Sequence, residues 1–378
     1  MANPAPDALT VPERRGRVGR RIKALRMALK NPLIESLCAL AVLPLDRRVR
    51  TPEDLEREPP RRILLVRTDR IGDLLVCTPL IAALHERWPE AELVLVGGKL
   101  NRSVMPLLPY VRRAPVEFDR DPLSWSRLLA WAPYERFDLA VSLRAEVFSG
   151  AWIAALSGAP VRAVANAART LPAFNLVIGP NDHHQLRRYW RAAERLGVRW
   201  PEQRPVFSVP EAAVSRAEEV LLRLAPRPGA PLVGLGMPNR STARHRHKAW
   251  PAERLVELAR RLTDAGAELL LFGVGAEREE AGRIAAAVSG ATVAPPLTLP
   301  QLAAVQRRLA LLVTSFTGTL HLADGVGTPT VAIGEARNAA DWRPLGAAHR
   351  QIASPHPATI PVEQVWKAVR SALGGRLG

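Results

Sequence analysis

The chain has 378 residues, and its 53 lysines and arginines outnumber its 36 aspartates and glutamates, which gives a formal net charge of +17 at pH 7. At about 150 residues per domain, this length predicts two domains and a short additional segment. Apolar residues make up 47% of the sequence, which excludes a wholly disordered chain. The only cysteines, Cys38 and Cys77, exclude a disulfide scaffold and a four-cysteine zinc site. The positive charge favours an anionic partner without identifying it.

Residues 1–60 are predicted to form a basic amphipathic helical extension and a linker. Eight basic residues and no acidic residue lie between Arg14 and Lys30. Apolar residues follow one helical face in this stretch, at Val18, Ile22, Leu25 and Leu29. The apolar run that follows, residues 33–45, is shorter than the roughly 20 residues that span a bilayer. We therefore expect residues 14–45 to contact an anionic membrane surface.

Two other interpretations of this extension stay open at the level of sequence. It could be a solvated arm, or a helix packed on the main body of the protein. Nucleic acid would also attract the charge, but no zinc-finger spacing, RNP-like motif or basic leucine zipper follows it. We therefore expect no specific nucleic-acid partner.

Short apolar runs alternate with helical patterns in two successive series. In the first series, we predict buried strands at residues 63–66, 93–96, 139–143 and 161–164, with a helix over residues 74–88. In the second series, we predict strands at residues 232–236, 268–272, 310–314 and 330–333, and helices at residues 251–265, 277–288 and about 319–326. Strands without polar alternation are typical of parallel sheets covered on both faces. The sequence thus predicts an α/β protein with two doubly wound domains, residues 61–205 and 206–378, that face a cleft.

The loop after the first strand carries a candidate general base. Gly72 allows a close backbone approach, and Asp73 stands where a strand meets a helix. Asp73 could take a proton from an attacking hydroxyl group, or it could simply cap the helix. Asp69, four residues earlier, competes for the role of base.

The loop before residue 251 is strongly basic. Arg244, Arg246 and Lys248 could neutralise a diphosphate, and His245 could assist them. A solvated surface loop is the alternative. His245 and His247 lack nearby carboxylate or cysteine partners, so we predict no metal site.

A third loop opens a helix directly behind a strand. Thr317, Gly318 and Thr319 would present free N–H groups and hydroxyl groups, an arrangement that binds phosphate. His321, one turn further on, could face a ligand or pack in the core. The incomplete glycine pairs near residues 234 and 273 do not make a dinucleotide-binding fingerprint, so we exclude NAD.

Together these loops resemble glycosyltransferase family 9, the bacterial ADP-heptose:lipopolysaccharide heptosyltransferases. The likeness begins at Ile63-Leu-Leu-Val-Arg-Thr-Asp-Arg-Ile-Gly-Asp73 and the Thr-Pro-Leu helix that follows it. It continues through His184-Gln-Leu-Arg-Arg-Tyr-Trp190, Lys248-Ala-Trp-Pro251 and Gly318-Thr-Leu-His-Leu-Ala323. Four elements in the same order are far more specific than any one of them, and the likeness covers about residues 61–373.

The resemblance implies a GT-B fold, with an N-terminal acceptor domain and a C-terminal nucleotide-sugar donor domain. It implies an inverting transfer without a metal or other cofactor, from a nucleotide diphosphate sugar to a lipid-linked glycan of the cell envelope. Asp73 then matches the catalytic base, Lys248 the lysine beside the leaving diphosphate, and residues 317–319 the phosphate-binding helix start. Glu277 is loosely similar to the family's ribose-binding position. The implied location is the cytoplasm, with contact to the inner membrane through residues 14–45.

One residue departs from the family pattern. The family usually has an acidic residue immediately before the Thr-Gly pair, where this chain has Phe316. A phenylalanine cannot hydrogen-bond a donor sugar. This departure leaves a second hypothesis open, a catalytically idle protein that binds a nucleotide sugar or glycan at the membrane.

Overall fold

The structure, a computed structural model, describes residues 48–119, 121–144, 148–165, 172–179, 182–224, 227–238 and 249–377. The predicted N-terminal helix and the basic loop with Arg244 and Lys248 lie outside these residues. Within the ranges just given, no helix combines the length and the apolar character needed to cross a membrane.

Six parallel strands form the first sheet, in the order β3-β2-β1-β4-β5-β6. These strands are β1 (Arg62–Val66), β2 (Glu92–Val96), β3 (Val111–Arg113), β4 (Leu139–Ser142), β5 (Val161–Val164) and β6 (Leu176–Val177). The helices of this half are α1 (Pro52–Arg57), α2 (Ile71–Leu75), α3 (Thr78–Arg87), α4 (Pro122–Trp131), α5 (Phe148–Leu156) and α6 (Gln185–Arg195). Residues 63–66 of β1 are buried, as expected for a central strand covered on both faces.

The second sheet repeats this plan with strands of the second half of the chain, in the order β12-β11-β10-β7-β8-β9. Its strands are β7 (Leu232–Gly236), β8 (Glu268–Phe272), β9 (Ala291–Val293), β10 (Leu311–Ser315), β11 (Thr330–Glu335) and β12 (His349–Ser354). Its helices are α7 (Glu211–Leu224), α8 (Ala252–Asp264), α9 (Ala276–Ala287), α10 (Leu299–Gln306), α11 (Gly318–Gly325), α12 (Ala336–Trp342) and α13 (Val362–Leu373). Both sheets have the doubly wound order of a Rossmann fold, which confirms the predicted fold class.

The predicted strands are present, but the continuous helix expected over residues 74–88 is wrong. The chain forms two helices there, α2 and α3, separated at Val76 and Cys77. Pro79, in the first turn of α3, explains the break, because inside one continuous helix its ring would clash with the carbonyl group of Leu75. The break keeps α2 short, so that α2 acts as a separate unit at the end of β1.

Apolar packing joins the two halves. Ala303 of α10 and Leu322 of α11 belong to the same buried cluster as the first sheet. The connecting segment adds two hydrogen bonds to the first half, from Val206 N–H to Thr78 Oγ1 at 2.9 Å and from Ser208 N–H to the Leu107 carbonyl at 3.0 Å. The carboxyl ends of β1 and β10 are thereby held face to face.

Candidate active site

The starts of α2 and α11 meet at two glycines. A Cβ atom on Gly72 would lie 3.3 Å from the Gly318 Cα and 3.3 Å from Cδ2 of His321. A Cβ atom on Gly318 would lie 3.2 Å from the Gly72 backbone nitrogen. Few real Cβ contacts are so close, so the absence of side chains at both positions permits this approach. Asp73 follows Gly72 directly, and this contact brings it beside the start of α11.

The Asp73 carboxylate is held by two donors. Arg67 Nη2 donates to Oδ1 at 3.0 Å, and the Arg70 N–H donates to Oδ2 at 3.2 Å. Asp73 helps to cap the start of α2, as predicted, but it does so as the third residue of the helix. The N-cap residue itself is Arg70. About a fifth of the Asp73 side chain (21%) remains exposed to solvent.

Asp69 has a different environment from Asp73. Its Oδ1 pairs with Arg144 Nη1 at 2.7 Å, and its Oδ2 lies 3.4 Å from Arg67 Nε. It therefore lies between two guanidinium groups, and its side chain is 14% exposed. Asp73, not Asp69, adjoins the glycine contact with α11.

Helix α11 begins without a side-chain cap. Thr317, the N-cap residue, has an extended backbone, and its hydroxyl group lies 2.6 Å from that of Thr319. The first N–H groups of a helix have no partners within the helix, and the helix dipole favours negative charge there. Thr317, Gly318 and Thr319 are only half-buried, so this end of α11 can receive an anion.

His321 is buried at the same junction and does not face solvent. Its side chain lies beside Gly72 and 5.9 Å from the ring of Trp342. Burial lowers the pKa of His321 to about 3, and nearby His184 acts in the same direction. The imidazole is therefore neutral at pH 7, and its Nδ1 is buried with no hydrogen-bond partner. This neutral ring separates Gly72 from Trp342.

His184, at the start of α6, ties the first half to α12. Its Nδ1 accepts from the Arg187 N–H at 3.3 Å, so its Nε2 carries the proton and donates to the Arg343 carbonyl at 2.9 Å. Burial lowers the pKa of His184, which favours this neutral tautomer. The histidine of the sequence element 184–190 is thus a bridge between the two halves.

Phe316 and Glu277 lie on the second sheet's side of the cleft. The Phe316 ring packs against Gly334 of β11, where a Cβ atom would lie 2.7 Å from Cδ2 of the ring. Glu277 opens α9 after β8, two strands away from β10 at the same edge of the sheet. Burial and the charge of Glu280 raise the pKa of Glu277.

Two of the predicted donor-site residues, Lys248 and Arg244, lie outside the described residues, so their positions relative to Asp73 stay predictions. Within the described ranges, no group of three or more histidine, cysteine, aspartate or glutamate side chains could hold a metal ion.

The family model for glycosyltransferase family 9 (heptosyltransferase) matches residues 133–367. The chain belongs to this family. A curated relative, lipopolysaccharide heptosyltransferase 1 of Pseudomonas aeruginosa, is 39% identical over 87 residues, which make up 23% of this chain. That match spans only 24% of the relative's length.

Solved structures share the fold over most of the chain. The glycosyl transferase family 9 structure from Veillonella parvula has a TM-score of 0.70 and 21% identity, and the match covers 83% of this chain and 97% of that one. ADP-heptose LPS heptosyltransferase II of E. coli has a TM-score of 0.64 and 21% identity, with 82% and 98% covered. E. coli heptosyltransferase WaaC with ADP-2-deoxy-2-fluoro heptose has a TM-score of 0.62 and 20% identity, with 82% and 99% covered. These likenesses identify the GT-B fold.

Sequence reasoning assigned no role to two residues of the site, Arg67 and Tyr189. Arg67 is 3% exposed and Tyr189 is fully buried, and Arg67 Nη1 donates to the Tyr189 hydroxyl at 3.0 Å. The signal in the sequence that could have pointed to Arg67 is an arginine directly after an apolar strand. Arginine is rarely buried, so an arginine at a position that the fold buries is unusual.

Buried His321 predicts a pH-dependent stability. Its pKa is about 3 in the folded chain and 6.5 ordinarily, so only the unfolded chain protonates it between these values. Its contribution to stability is complete above pH 6.5 and is lost as the pH falls towards 3. Between pH 7 and pH 5, the free energy of unfolding should fall by about 1–2 kcal/mol less in His321→Asn than in the parent, as measured by urea denaturation.

His356→Asn is the matched control, because His356 is exposed. This variant should lose as much stability as the parent between the two pH values. If His321→Asn also matched the parent, the proposed neutral histidine at the junction would be wrong.

Proposed function

We propose that this chain is an inverting glycosyltransferase that moves a heptose or a related sugar from a nucleotide diphosphate sugar to a lipopolysaccharide-type glycan. Membership of the heptosyltransferase family supports the class of reaction. The names of the E. coli structural neighbours, which refer to ADP-heptose and to LPS, support the donor and the acceptor. The observation that carries the proposal is the contact between Gly72 and Gly318, which sets a carboxylate beside an uncapped helix start.

In the proposed reaction, Asp73 accepts the proton of the acceptor hydroxyl group. The hydroxyl oxygen attacks the anomeric carbon of the donor sugar, and the bond between this carbon and the β-phosphate oxygen breaks. The leaving diphosphate gains negative charge, which the N–H groups of Gly318 and Thr319 are placed to stabilise. We propose that Lys248 and Arg244 add positive charge on the same side and that Glu277 holds the donor ribose.

The packing between the two halves contributes a second effect. Leu322 and Ala303 pack with apolar side chains of the first half, and the ring of Trp342 lies 5.9 Å from that of His321. A closed cleft excludes water, which would otherwise compete with the acceptor and hydrolyse the donor.

A second candidate function is a catalytically idle nucleotide-sugar or glycan-binding protein. Phe316 favours it, because the aromatic ring against Gly334 offers no hydrogen-bond acceptor to a sugar hydroxyl group. The held carboxylate of Asp73 argues against it, since a binding protein needs no general base. Release of free nucleoside diphosphate in the presence of acceptor distinguishes the two.

Asp73→Asn tests the proposed base. Thermal stabilisation across ADP-, UDP-, GDP- and CDP-sugars first identifies the donor, since a ligand that binds the folded state raises its stability. With that donor and a lipopolysaccharide core acceptor, we expect Asp73→Asn to lower kcat by about a hundredfold or more while donor binding persists.

Asp69→Asn is the matched control for this experiment, because Asp69 also pairs with Arg67 but lies away from the glycine contact. It should keep a larger share of kcat than Asp73→Asn. Near-normal turnover in Asp73→Asn, or a greater loss in Asp69→Asn, would reject Asp73 as the base. Donor binding without any nucleoside diphosphate release in the parent would favour the idle protein.

We also propose that residues 14–45 attach the protein to the cytoplasmic face of the inner membrane. The support is the basic amphipathic pattern of the sequence alone. We expect a chain that lacks residues 1–47 to sediment less with phosphatidylglycerol vesicles at low salt and to keep its activity on a soluble acceptor. Phosphatidylcholine vesicles are the control, and equal sedimentation of both chains with anionic vesicles would contradict the proposal.

A further inference from the structure

Arg67 is a buried cation directly after β1, and its guanidinium group is anchored on several sides. Its Nη1 donates to the Leu143 carbonyl at 2.6 Å and to the Tyr189 hydroxyl at 3.0 Å. Its Nη2 donates to Asp73 Oδ1 at 3.0 Å. These contacts connect the ends of β1 and β4 with α6 and α2, so the position of the guanidinium group is fixed before any ligand binds.

The charge of Arg67 acts chiefly on Asp73. Asp69, its other acidic neighbour at 3.4 Å, has a nearer cation of its own, Arg144 at 2.7 Å. Among the ion pairs of the described residues, Asp73 has only the one with Arg67. Although burial opposes the charge of Arg67, its acidic neighbours Asp73 and Asp69 raise the pKa of the guanidinium group, so it stays charged.

Two other side chains beside Asp73 and Arg67, those of Cys77 and Tyr189, are uncharged at pH 7 and cannot supply the positive charge of Arg67. Burial raises the pKa of the Cys77 thiol to about 11, and its Sγ donates to the Asp73 carbonyl at 3.0 Å. Burial also raises the pKa of Tyr189, which therefore stays a neutral phenol. Both groups help to fix the segment without contributing charge at pH 7.

We propose that Arg67 is the positioning residue of Asp73, holding its carboxylate in one orientation beside the start of α11. This inference rests on the proposed function, because it assigns Arg67 a task in the same proton transfer. Two donors, Arg67 and the Arg70 N–H, occupy one site on each carboxylate oxygen. Each oxygen has a second lone-pair site, so one can still accept a proton from an acceptor hydroxyl group.

The alternative is a purely structural role, in which Arg67 only ties strand ends together. A structural role predicts lost stability alone, whereas a positioning role also predicts a loss of kcat that depends on Asp73. The two roles are therefore separable by a double-mutant cycle between Arg67 and Asp73.

The test compares the parent with Arg67→Gln and Arg67→Lys. Each variant is made alone and in an Asp73→Asn background. Thermal denaturation measures the structural cost of each change, and donor binding measures whether the site is intact. Arg67→Lys, which keeps the charge, should recover part of the kcat that Arg67→Gln loses.

Activity gives the second readout. We expect Arg67→Gln to lower kcat about ten- to a hundredfold, with little change in donor affinity. In an Asp73→Asn background, Arg67→Gln should cause almost no further loss, because Arg67 acts through Asp73.

Arg162→Lys is the matched control for Arg67→Lys. Arg162 is also buried, at 1% exposure, but it lies in β5 and its Nε donates to the Ala173 carbonyl at 2.7 Å. It should lower stability while leaving kcat close to that of the parent.

If Arg67→Gln does not fold, Tyr189→Phe is measured instead, since it removes one anchor of Arg67 and keeps its charge. It should lower kcat with little change in donor affinity. Three outcomes overturn the proposal: an unchanged kcat in Arg67→Gln, an equal fractional loss from Arg67→Gln in the Asp73→Asn background, or, where Tyr189→Phe is measured instead, an unchanged kcat in that variant. Failure of the proposed function shows up separately, as an Asp73→Asn variant that keeps its turnover.

Discussion

The close approach of Gly72 and Gly318 is the constraint on which the rest of the site depends. It lets the starts of α2 and α11 touch, although the two helices follow central strands of different sheets. In a doubly wound sheet, the loops that bind ligands follow the carboxyl ends of the strands. One sheet alone forms only one wall of a cleft. The glycine contact joins two such walls, one with a carboxylate and one with an uncapped helix start. Sugar transfer needs both, a base for the acceptor and a site for the departing charge.

Buried polar groups surround this contact, and burial together with neighbouring charges determines which of them are charged. His321 is neutral because it is buried, so it adds no positive charge that would compete for the carboxylate of Asp73. Arg67 is charged in spite of burial, because acidic groups surround it. Arg67 thus pairs with two carboxylates, Asp73 and Asp69, and Asp69 pairs with Arg144 as well. Burial of the guanidinium group strengthens these pairs and makes the loss of a partner costly.

The central strands of both sheets could be predicted from the sequence, because central parallel strands appear as uninterrupted apolar runs such as residues 63–66 and 232–236. Edge strands could not, since half of the residues of β12 are exposed and β6 has only two residues. The loops with Asp73 and Thr317 were found because a carboxylate, or hydroxyl groups with a glycine, stand between a strand and a helix. The burial of Arg67 and His321 could not be found, because it depends on α6 and α12, which are distant in sequence and bring Tyr189 and Trp342 against them.

A crystal structure of the chain with an inert nucleotide diphosphate sugar tests the central claim most directly. The account predicts that the diphosphate oxygens accept from the N–H groups at residues 318 and 319. It also predicts that the carboxylate of Asp73 faces the anomeric carbon from the side opposite the diphosphate. A diphosphate bound away from the start of α11, or a carboxylate turned from the sugar in the closed cleft, would contradict it.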